Sequence, residues 1–489
     1  MSRRPSSVVR ACAAALLVSL TGLAPAASAA PAASAAGAPV SSAYDPMPLP
    51  GLGPDGTATM HGDGRSSDVT PHPGVGRGPA RATWHDLSAA CPTILQGRDR
   101  MVVALCTQVL GRAPVVLLLD PASGARLASL PVAKGALLGG VYAYVDDQDR
   151  LVLVDGTRHL LRVAHERAAA GGWALRATSS VSVADFVTGG DPASTDAVVG
   201  LTPDRHGHVW LATREGRVGV LDPATGTVHG TRLPAGERID NSISAARAGV
   251  AVVSSHATYV LDDEGGAPAV RWRRAYDRGT ARKPGQLSWG SGATPTFFGP
   301  GGDDYVTVTD NADGQEHLLV LRSSDGEIVC SPAIFAPGAS GTENSAMAHD
   351  RTVMVASTYG YPYPALPEGA GPSVPATAGF ARGGIERFEV AEDGSGCTRT
   401  WSAPVASAAV PRWSLADDTV YTVERPPVLG GTGPSLHAVA LDAGTGRVVS
   451  RTYLGGPLRD TLQMVGTITP DGVWWQGGIT GVHRITARD

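Results

Sequence analysis

The sequence contains few lysines, few aromatic residues and few charged residues. Aromatic residues make up 5% of the 489 positions and charged residues 17%, and among 40 basic residues the only lysines are Lys134 and Lys283. The formal net charge is −5, and it becomes −8 once the three arginines before residue 11 are set aside. A mildly acidic chain offers no basic surface for nucleic acid, so nucleic-acid partners are not expected.

Apolar runs long enough to cross a bilayer are absent, so no membrane span is expected. The chain opens with a basic stretch, an apolar run at residues 11–23 and small residues at 27–29, which together are typical of a secretory signal. We therefore predict that residues 1–29 are a signal peptide and that the mature protein is a secreted, extracellular monomer.

Cysteine is scarce, and no C-x-x-C occurs, which disfavours a metal site made of four cysteines. After the signal the cysteines are Cys91, Cys106, Cys330 and Cys397. Four cysteines allow three pairings. We favour Cys91–Cys106 and Cys330–Cys397, because each pair can join adjacent strands in an oxidising compartment.

Helical periodicity is weak after residue 84, whereas glycine and proline are frequent, with 62 and 37 copies. This composition is typical of short strands joined by tight turns. An apolar strand followed by an Asp-x-x-Thr/Ser-Gly turn recurs at residues 115–131, 218–234 and 438–452, and a variant of it occurs at 318–332. The aspartate can accept bonds from the following backbone N–H groups, and the glycine supplies a positive φ.

Repeat units of about 50 residues follow from these spacings. They begin near residues 94, 141, 200, 243, 294, 345, 411 and 465. Units of this length with four short strands predict an all-β fold, a β-propeller of seven or eight four-stranded blades. We assign residues 84–489 to the propeller and residues 30–83, rich in Ala, Pro and Gly, to an extended arm.

The turn pattern resembles the PQQ-like and YVTN-like propeller repeats, over residues 90–489. That resemblance implies the architecture. The tryptophan docking motif and the paired cysteines of quinoprotein dehydrogenases are not found, so PQQ is not expected as a cofactor.

The residues that start each unit line the channel of a propeller, and Asn-Ser occurs there twice, at Asn241 and Asn344. These starts resemble the Asn-Gly strand starts of the SMP-30/gluconolactonase and paraoxonase-type propellers, in which asparagines and acidic residues hold a catalytic calcium. The resemblance implies Ca²⁺ as cofactor, with Asn241, Asn344 and Glu343 as ligands. Alternatively, Asn and Ser satisfy backbone groups where strands begin.

Further candidates come from the unit starts, from the loop 272–311 and from the arm. Glu343, Asp240 and Lys283 are the predicted catalytic residues, the carboxylates as bases and the lysine as an anion binder or base. The predicted substrate-binding residues are Arg412, Tyr276, Asp277, Thr294 and His61. Ordinary alternatives are a solvated surface lysine for Lys283, common loop aromatics and ion pairs for Tyr276 and Asp277, and a solvated spacer for the segment around His61.

The run from Asp204 to His208 offers a carboxylate and two histidines for a transition metal, but it also suits a plain turn. No G-x-S-x-G or H-E-x-x-H motif is present. We therefore expect a propeller that acts on a small molecule at the polar mouth of its channel, in the most concrete form by calcium-dependent hydrolysis of a lactone or ester. The alternative is a non-catalytic propeller that binds a protein, a glycan or a surface ligand.

Overall fold

A computed structural model describes residues 43–135, 142–367, 369–380, 383–426 and 435–488. In this part of the chain eight antiparallel sheets of four strands form, one of them with an added parallel strand. The inner strands of neighbouring sheets contact one another, and between blades 6 and 7 the added strand Val69–Thr70 contacts both inner strands. The sheets are therefore the blades of an eight-bladed β-propeller, which confirms the predicted fold and decides between seven and eight blades.

Blades 1 to 4 follow one another along the chain, each written from its inner to its outer strand. Blade 1 consists of Ala89–Gln96, Val102–Gln108, Pro114–Leu119 and Arg126–Pro131, and blade 2 of Ala143–Val145, Leu151–Val154, His159–Arg167 and Trp173–Ser182. Blade 3 consists of Val198–Pro203, Val209–Thr213, Arg217–Leu221 and Val228–Arg232, and blade 4 of Ser244–Ala246, Gly249–Val253, Ala257–Glu264 and Ala267–Ala275.

Blades 5 to 8 continue in the same order. Blade 5 consists of Thr296–Phe298, Tyr305–Thr309, Leu318–Arg322 and Ile328–Cys330, and blade 6 of Met347–His349, Thr352–Ala356, Ile385–Val390 and Cys397–Ala403. Blade 7 consists of Arg412–Ser414, Thr419–Glu424, Leu436–Asp442 and Val448–Gly455, and blade 8 of Gly466–Ile468, Trp474–Gly477, Gly481–Ala487 and, outermost, Ala80–Asp86. Because this last strand precedes blade 1 in the chain, blade 8 closes the ring with strands from both ends of the propeller.

Among the described residues, helix is confined to two short connectors, the α-helix Ala184–Thr188 and the 3₁₀ turn Pro457–Arg459. No helix in the described ranges is long and apolar enough to cross a membrane.

The burial of the strands explains their sequences. The second strand Val209–Thr213 is buried along its whole length, because both faces of the blade meet neighbouring blades, whereas the outer strand Val228–Arg232 is mostly exposed or half-buried. The turn between the two outer strands is the repeated motif. In blade 3 Asp222 accepts a bond from Ala224 N at 2.8 Å, and Gly226 takes a φ of +74°.

Both predicted disulfides form. Cys91 and Cys106 join the two inner strands of blade 1, and Cys330 and Cys397 join the outer strands of blades 5 and 6. The Cα–Cα distances are 4.1 and 5.8 Å. The first pair fixes a single blade, whereas the second fixes the contact between two blades.

Residues 57–70 of the predicted arm pack against the inner strands of the propeller. Residues 74–78 lie along blade 7, and residues 80–83 belong to the outermost strand of blade 8. The arm's strand Val69–Thr70 pairs in parallel with the inner strand of blade 7. Backbone N–H groups of other inner strands donate to carbonyls of residues 57–67, among them Val145 to Ala58, Ala245 to Gly64 and Ala348 to Ser67, at 2.7–2.9 Å. The inner strands are free sheet edges facing the channel, so the arm satisfies polar groups that would otherwise lack partners.

Candidate functional site

The segments that join one blade to the next lie on one face of the ring, which we call the upper face. They include residues 233–243, 276–295, 331–346 and 456–465. Each leads into an inner strand, so its last residues stand at the mouth of the channel. Asp240, Asn241 and Glu343, three of the residues predicted from the sequence, are in such positions.

Glu343 is a buried carboxylate in the segment that leads into the inner strand of blade 6. Its Oε1 accepts from Ser288 N at 2.6 Å and from Ser288 Oγ at 2.8 Å, and its Oε2 accepts from Leu287 N at 2.5 Å. Burial raises the pKa of Glu343 to about 7, although the three donors act in the opposite direction. Since a carboxylate has about four lone-pair positions, one on Oε2 remains for a ligand or a water.

Gly292 joins Glu343 to Asn241. Its φ of +64° is left-handed, and a Cβ on it would lie 2.7 Å from Glu343 Oε1. Asn241 donates from Nδ2 to Gly292 O at 2.6 Å and accepts on Oδ1 from Tyr142 Oη and from Ser242 N. The four groups Tyr142, Asn241, Gly292 and Glu343 are thus contiguous across blades 2, 4, 5 and 6, and we call them the mouth site.

Tyr142 is neutral in this setting. Burial raises the pKa of its phenol far above the usual range, and the negative charges of Glu343 and Asp240 add to the effect. The hydroxyl therefore keeps its proton and acts as a donor. Because Asn241 Oδ1 also accepts from a backbone N–H, Tyr142 can turn towards a ligand without leaving that oxygen unpaired.

Asp240 lies beside the mouth site between two guanidinium groups. Its Oδ1 is 3.5 Å from Arg214 Nε and 3.9 Å from Arg238 Nη2. Burial raises the pKa of Asp240, and the two arginines partly offset this. The carboxylate is therefore paired, in contrast to Glu343, which has only neutral donors.

The Pro/Gly-rich insert of blade 6, between its second and third strands, crosses the upper face. Gly360 N donates to Pro284 O at 2.8 Å in the connector to blade 5, and Tyr361 Oη donates to Asp460 at 2.5 Å in the connector to blade 8. Tyr363, also in the insert, has its pKa raised by burial and then by the charge of Glu343. The insert thus brings an aromatic side chain over the mouth site.

The arm closes the channel below the mouth site. His61 Nδ1 lies 3.0 Å from both oxygens of Asp68 and 3.1 Å from Ser345 Oγ, and Asp68 also bonds to Ser345 Oγ. Asp68 forms an ion pair with Arg412 at 3.0 Å. These are the residues of a serine–histidine–aspartate set, but one ring nitrogen serves both partners and all are buried, so the cluster is structural.

Lys283 is held in a second buried network, beneath the loop that carries Ser288. Its Nζ lies 3.2 Å from Glu316 Oε1 and donates to Ala312 O at 2.7 Å. Gln286 donates to the same Glu316 oxygen at 3.0 Å and to Thr342 O at 3.3 Å. The structure therefore places Lys283 in support of the loop that binds Glu343.

The other predicted binding residues are placed as follows. Tyr276 Oη donates to Ser254 O at 2.5 Å and accepts from Ser291 N at 3.0 Å, so it supports the 290–292 turn. Asp277 is exposed and caps its own turn through Gly279 N at 2.9 Å. Thr294 is 1% exposed and Arg412 is fully buried against the arm.

Asn241 Oδ1 and three of the four lone-pair positions of Glu343 already accept hydrogen bonds within the protein. Asn344, the third predicted ligand, is held through its Nδ2, which donates to Gln463 Oε1 at 3.1 Å. This arrangement does not form a cage of free oxygen ligands. The geometry gives the predicted calcium site no support, and calcium stays a prediction.

Among the described residues, three ligand atoms of Asp204, His208 and Asp263 lie within 4.8 Å of one another, on the face opposite the mouth. Asp204 there accepts from His206 N, His208 N and Trp210 Nε1 at 2.8–3.0 Å. The run forms the turn between the first two strands of blade 3, and a metal there stays a prediction.

Sequence reasoning missed Tyr142 and the part played by Gly292. Tyr142 stands at the start of the second repeat unit, the same phase at which Asn241 and Asn344 were chosen, so the repeat register was the signal that could have found it. Gly292 lies within the loop 272–311, where only the polar and charged residues were predicted to bind.

No model of a known protein family matches the sequence. An uncharacterized protein from Archaeoglobus fulgidus is 26% identical over 325 residues, which cover 60% of this chain and 62% of the archaeal protein. The chain thus spans less than two thirds of that relative.

Solved structures share the propeller fold. The quinohemoprotein alcohol dehydrogenase from Comamonas testosteroni is similar with a TM-score of 0.54 at 10% identity, over 88% of this chain and 81% of that one. Streptogramin B lyase is similar with a TM-score of 0.40 at 13% identity, over 84% and 97%. The first likeness agrees with the resemblance to PQQ-like propellers, and at this identity it concerns the fold alone.

Proposed function

We propose that the chain binds a small molecule at the mouth site and hydrolyses an ester or lactone bond in it. The observation that carries this proposal is Glu343, a buried carboxylate with a pKa of about 7 and one unused lone pair, next to a protonated phenol. A base is most effective when its pKa is near the working pH, and buried carboxylates with such values concentrate at functional sites.

In the proposed reaction Glu343 takes a proton from a water as the water oxygen adds to the carbonyl carbon of the substrate. Tyr142 donates its O–H to the carbonyl oxygen as negative charge develops there. The bond to the leaving oxygen then breaks, and Glu343 returns its proton to that oxygen. The acid and the alcohol leave, and the side chains regain their original protonation.

The test is hydrolysis of a panel of aryl esters and lactones by the purified protein and by Glu343→Gln. Removing a general base is expected to lower kcat by about 10²–10⁴-fold. Glu386→Gln is a matched control, because Glu386 is also buried but binds Arg399 and Phe335 N in the body of blade 6. Equal activity of Glu343→Gln and wild type would refute the assignment.

Calcium is tested in the same preparation. If a calcium ion belongs to the site, metal analysis finds it in stoichiometric amount and a chelator lowers the melting temperature. A metal-free protein that is indifferent to added calcium would remove the metal from the proposal. We also propose that the protein is exported, which its two disulfides favour.

A further inference from the structure

A stacked arginine–tryptophan pair lies on the upper face beside the mouth site. The guanidinium carbon of Arg278 stands 3.8 Å from the centroid of the Trp289 ring, and Trp289 Nε1 donates to Arg278 O at 3.0 Å. Trp289 is 40% exposed, unusually high for so large an apolar side chain. Its ring is fixed by one hydrogen bond and one stacked neighbour, and much of its remaining surface faces solvent.

The pair belongs to the same loop as the mouth site. Trp289 directly follows Ser288, which donates two hydrogen bonds to Glu343. Three residues after Trp289 comes Gly292, whose carbonyl accepts a hydrogen bond from Asn241. Trp289 and the groups that bond to Glu343 and Asn241 are therefore carried by the same short segment, residues 288–292.

Arg278 brings a positive charge that the protein does not neutralise locally. No carboxylate lies within 4 Å of it among the described residues, in contrast to the pairs formed by Arg214, Arg273 and Arg425. Its Nη1 bonds at 2.7 Å to His256 Nε2, and its Nε is buried without a partner. A guanidinium group is always charged in proteins and matches the geometry of a carboxylate.

We infer that Arg278 and Trp289 form a recognition subsite for a small molecule that carries a planar aromatic group and a carboxylate. The aromatic ring packs against the part of the indole that the guanidinium group leaves exposed, and the carboxylate pairs with that guanidinium group. As a statement about substrate this rests on the proposed function, and it names the substrate class as carboxylate-bearing aromatic esters or lactones.

Binding is measured by isothermal titration calorimetry with 2-naphthoate as the probe and 2-naphthylmethanol as its neutral analogue. We expect wild type to bind 2-naphthoate at least about tenfold more tightly than the alcohol, and Arg278→Gln to lose that preference. Trp289→Ala is expected to weaken both ligands by about tenfold.

The chain offers a matched control. Arg167 stacks over Trp173 at 4.1 Å in the outer strands of blade 2, far from the mouth site. Arg167→Gln and Trp173→Ala remove the same kind of pair and should leave 2-naphthoate binding unchanged. If wild type does not bind 2-naphthoate, or if the control variants weaken it as much as the Arg278 and Trp289 variants do, the inference is overturned.

Hydrolysis separates this inference from the proposed function. Aryl esters with and without a carboxylate are compared in wild type, Arg278→Gln and Glu343→Gln. If Glu343→Gln abolishes hydrolysis while Arg278→Gln leaves the ratio of kcat/KM for charged and neutral esters unchanged, the proposed function is supported and the subsite is refuted. If no ester is hydrolysed but 2-naphthoate binding depends on Arg278, the subsite is supported and the hydrolase function is refuted.

Discussion

The ion pair between the arm and blade 7 makes a quantitative prediction about stability. Asp68 is fully buried, and its carboxylate contacts His61, Ser345 and, at 3.0 Å, Arg412, whose side chain is 1% exposed. Asp68→Asn keeps the size and most of the hydrogen bonding but removes the negative charge. Arg412 is then buried without a counter-ion, which costs about 3–5 kcal/mol.

The free energy of unfolding is measured by urea titration followed by circular dichroism. Two controls isolate the charge. Asp68→Asn combined with Arg412→Met removes both charges and should recover much of the loss, because an apolar replacement of a buried ion pair is often neutral. Asp325→Asn breaks the exposed pair with Arg322 and should give no measurable change. A loss below about 1 kcal/mol for Asp68→Asn would refute the view that the arm is an integral part of the core.

Three further predictions concern the mouth site and the disulfides. Hydrolysis should rise with pH through about 7 as Glu343 loses its proton. Because the pKa of Glu343 is raised in the folded protein, the contribution of Glu343 to stability is fully present below about 4.5 and is lost as the pH rises through about 7. Glu343→Gln should therefore flatten the dependence of stability on pH in this range, and an unchanged dependence would contradict the assignment. Gly292→Ala should abolish hydrolysis, because the new Cβ would lie 2.7 Å from Glu343 Oε1. In the control Gly111→Ala the residue also has a positive φ, +78°, but open space around it, so that only the backbone strain of about 1–2 kcal/mol applies. An active Gly292→Ala would exclude close packing against Glu343. Replacing Cys330 and Cys397 by serine should lower the free energy of unfolding by about 1 kcal/mol more than replacing the pair in blade 1, since it opens a separation of 67 residues instead of 15, and urea titration that gives the reverse order would contradict this.

The blades could be predicted from the sequence because the signals that specify each blade lie within its own repeat. The aspartate and glycine of the outer turn and the apolar second strand are local signals that recur about every 50 residues. The disulfides followed from the same register, since each cysteine occupies a strand. These features depend little on the rest of the chain.

The placement of the arm could not be predicted in this way. Residues 43–79 have no strand periodicity, and the partners of residues 57–70 are the inner edges of blades that meet only when the ring closes. His61 and Arg412, both predicted from the sequence to bind substrate, instead contact the same carboxylate, that of Asp68. Asp68 and Arg412 are 344 residues apart in the sequence. Composition and spacing contain no signal for such a contact.

The arm also determines where chemistry can occur. Its backbone occupies the inner edges of blades 1, 2, 4, 5, 6 and 7 and leaves Ser345, two residues after Glu343, bonded to His61 and Asp68. At and below that level the arm supplies partners to backbone groups of the inner strands and to Ser345. Above that level, Glu343 has one lone pair without a donor, and the hydroxyl of Tyr142 can turn towards a ligand. Arg278 there has a positive charge with no carboxylate within 4 Å among the described residues. Because a ligand gains most where polar groups still lack partners, binding should occur above the level of Ser345.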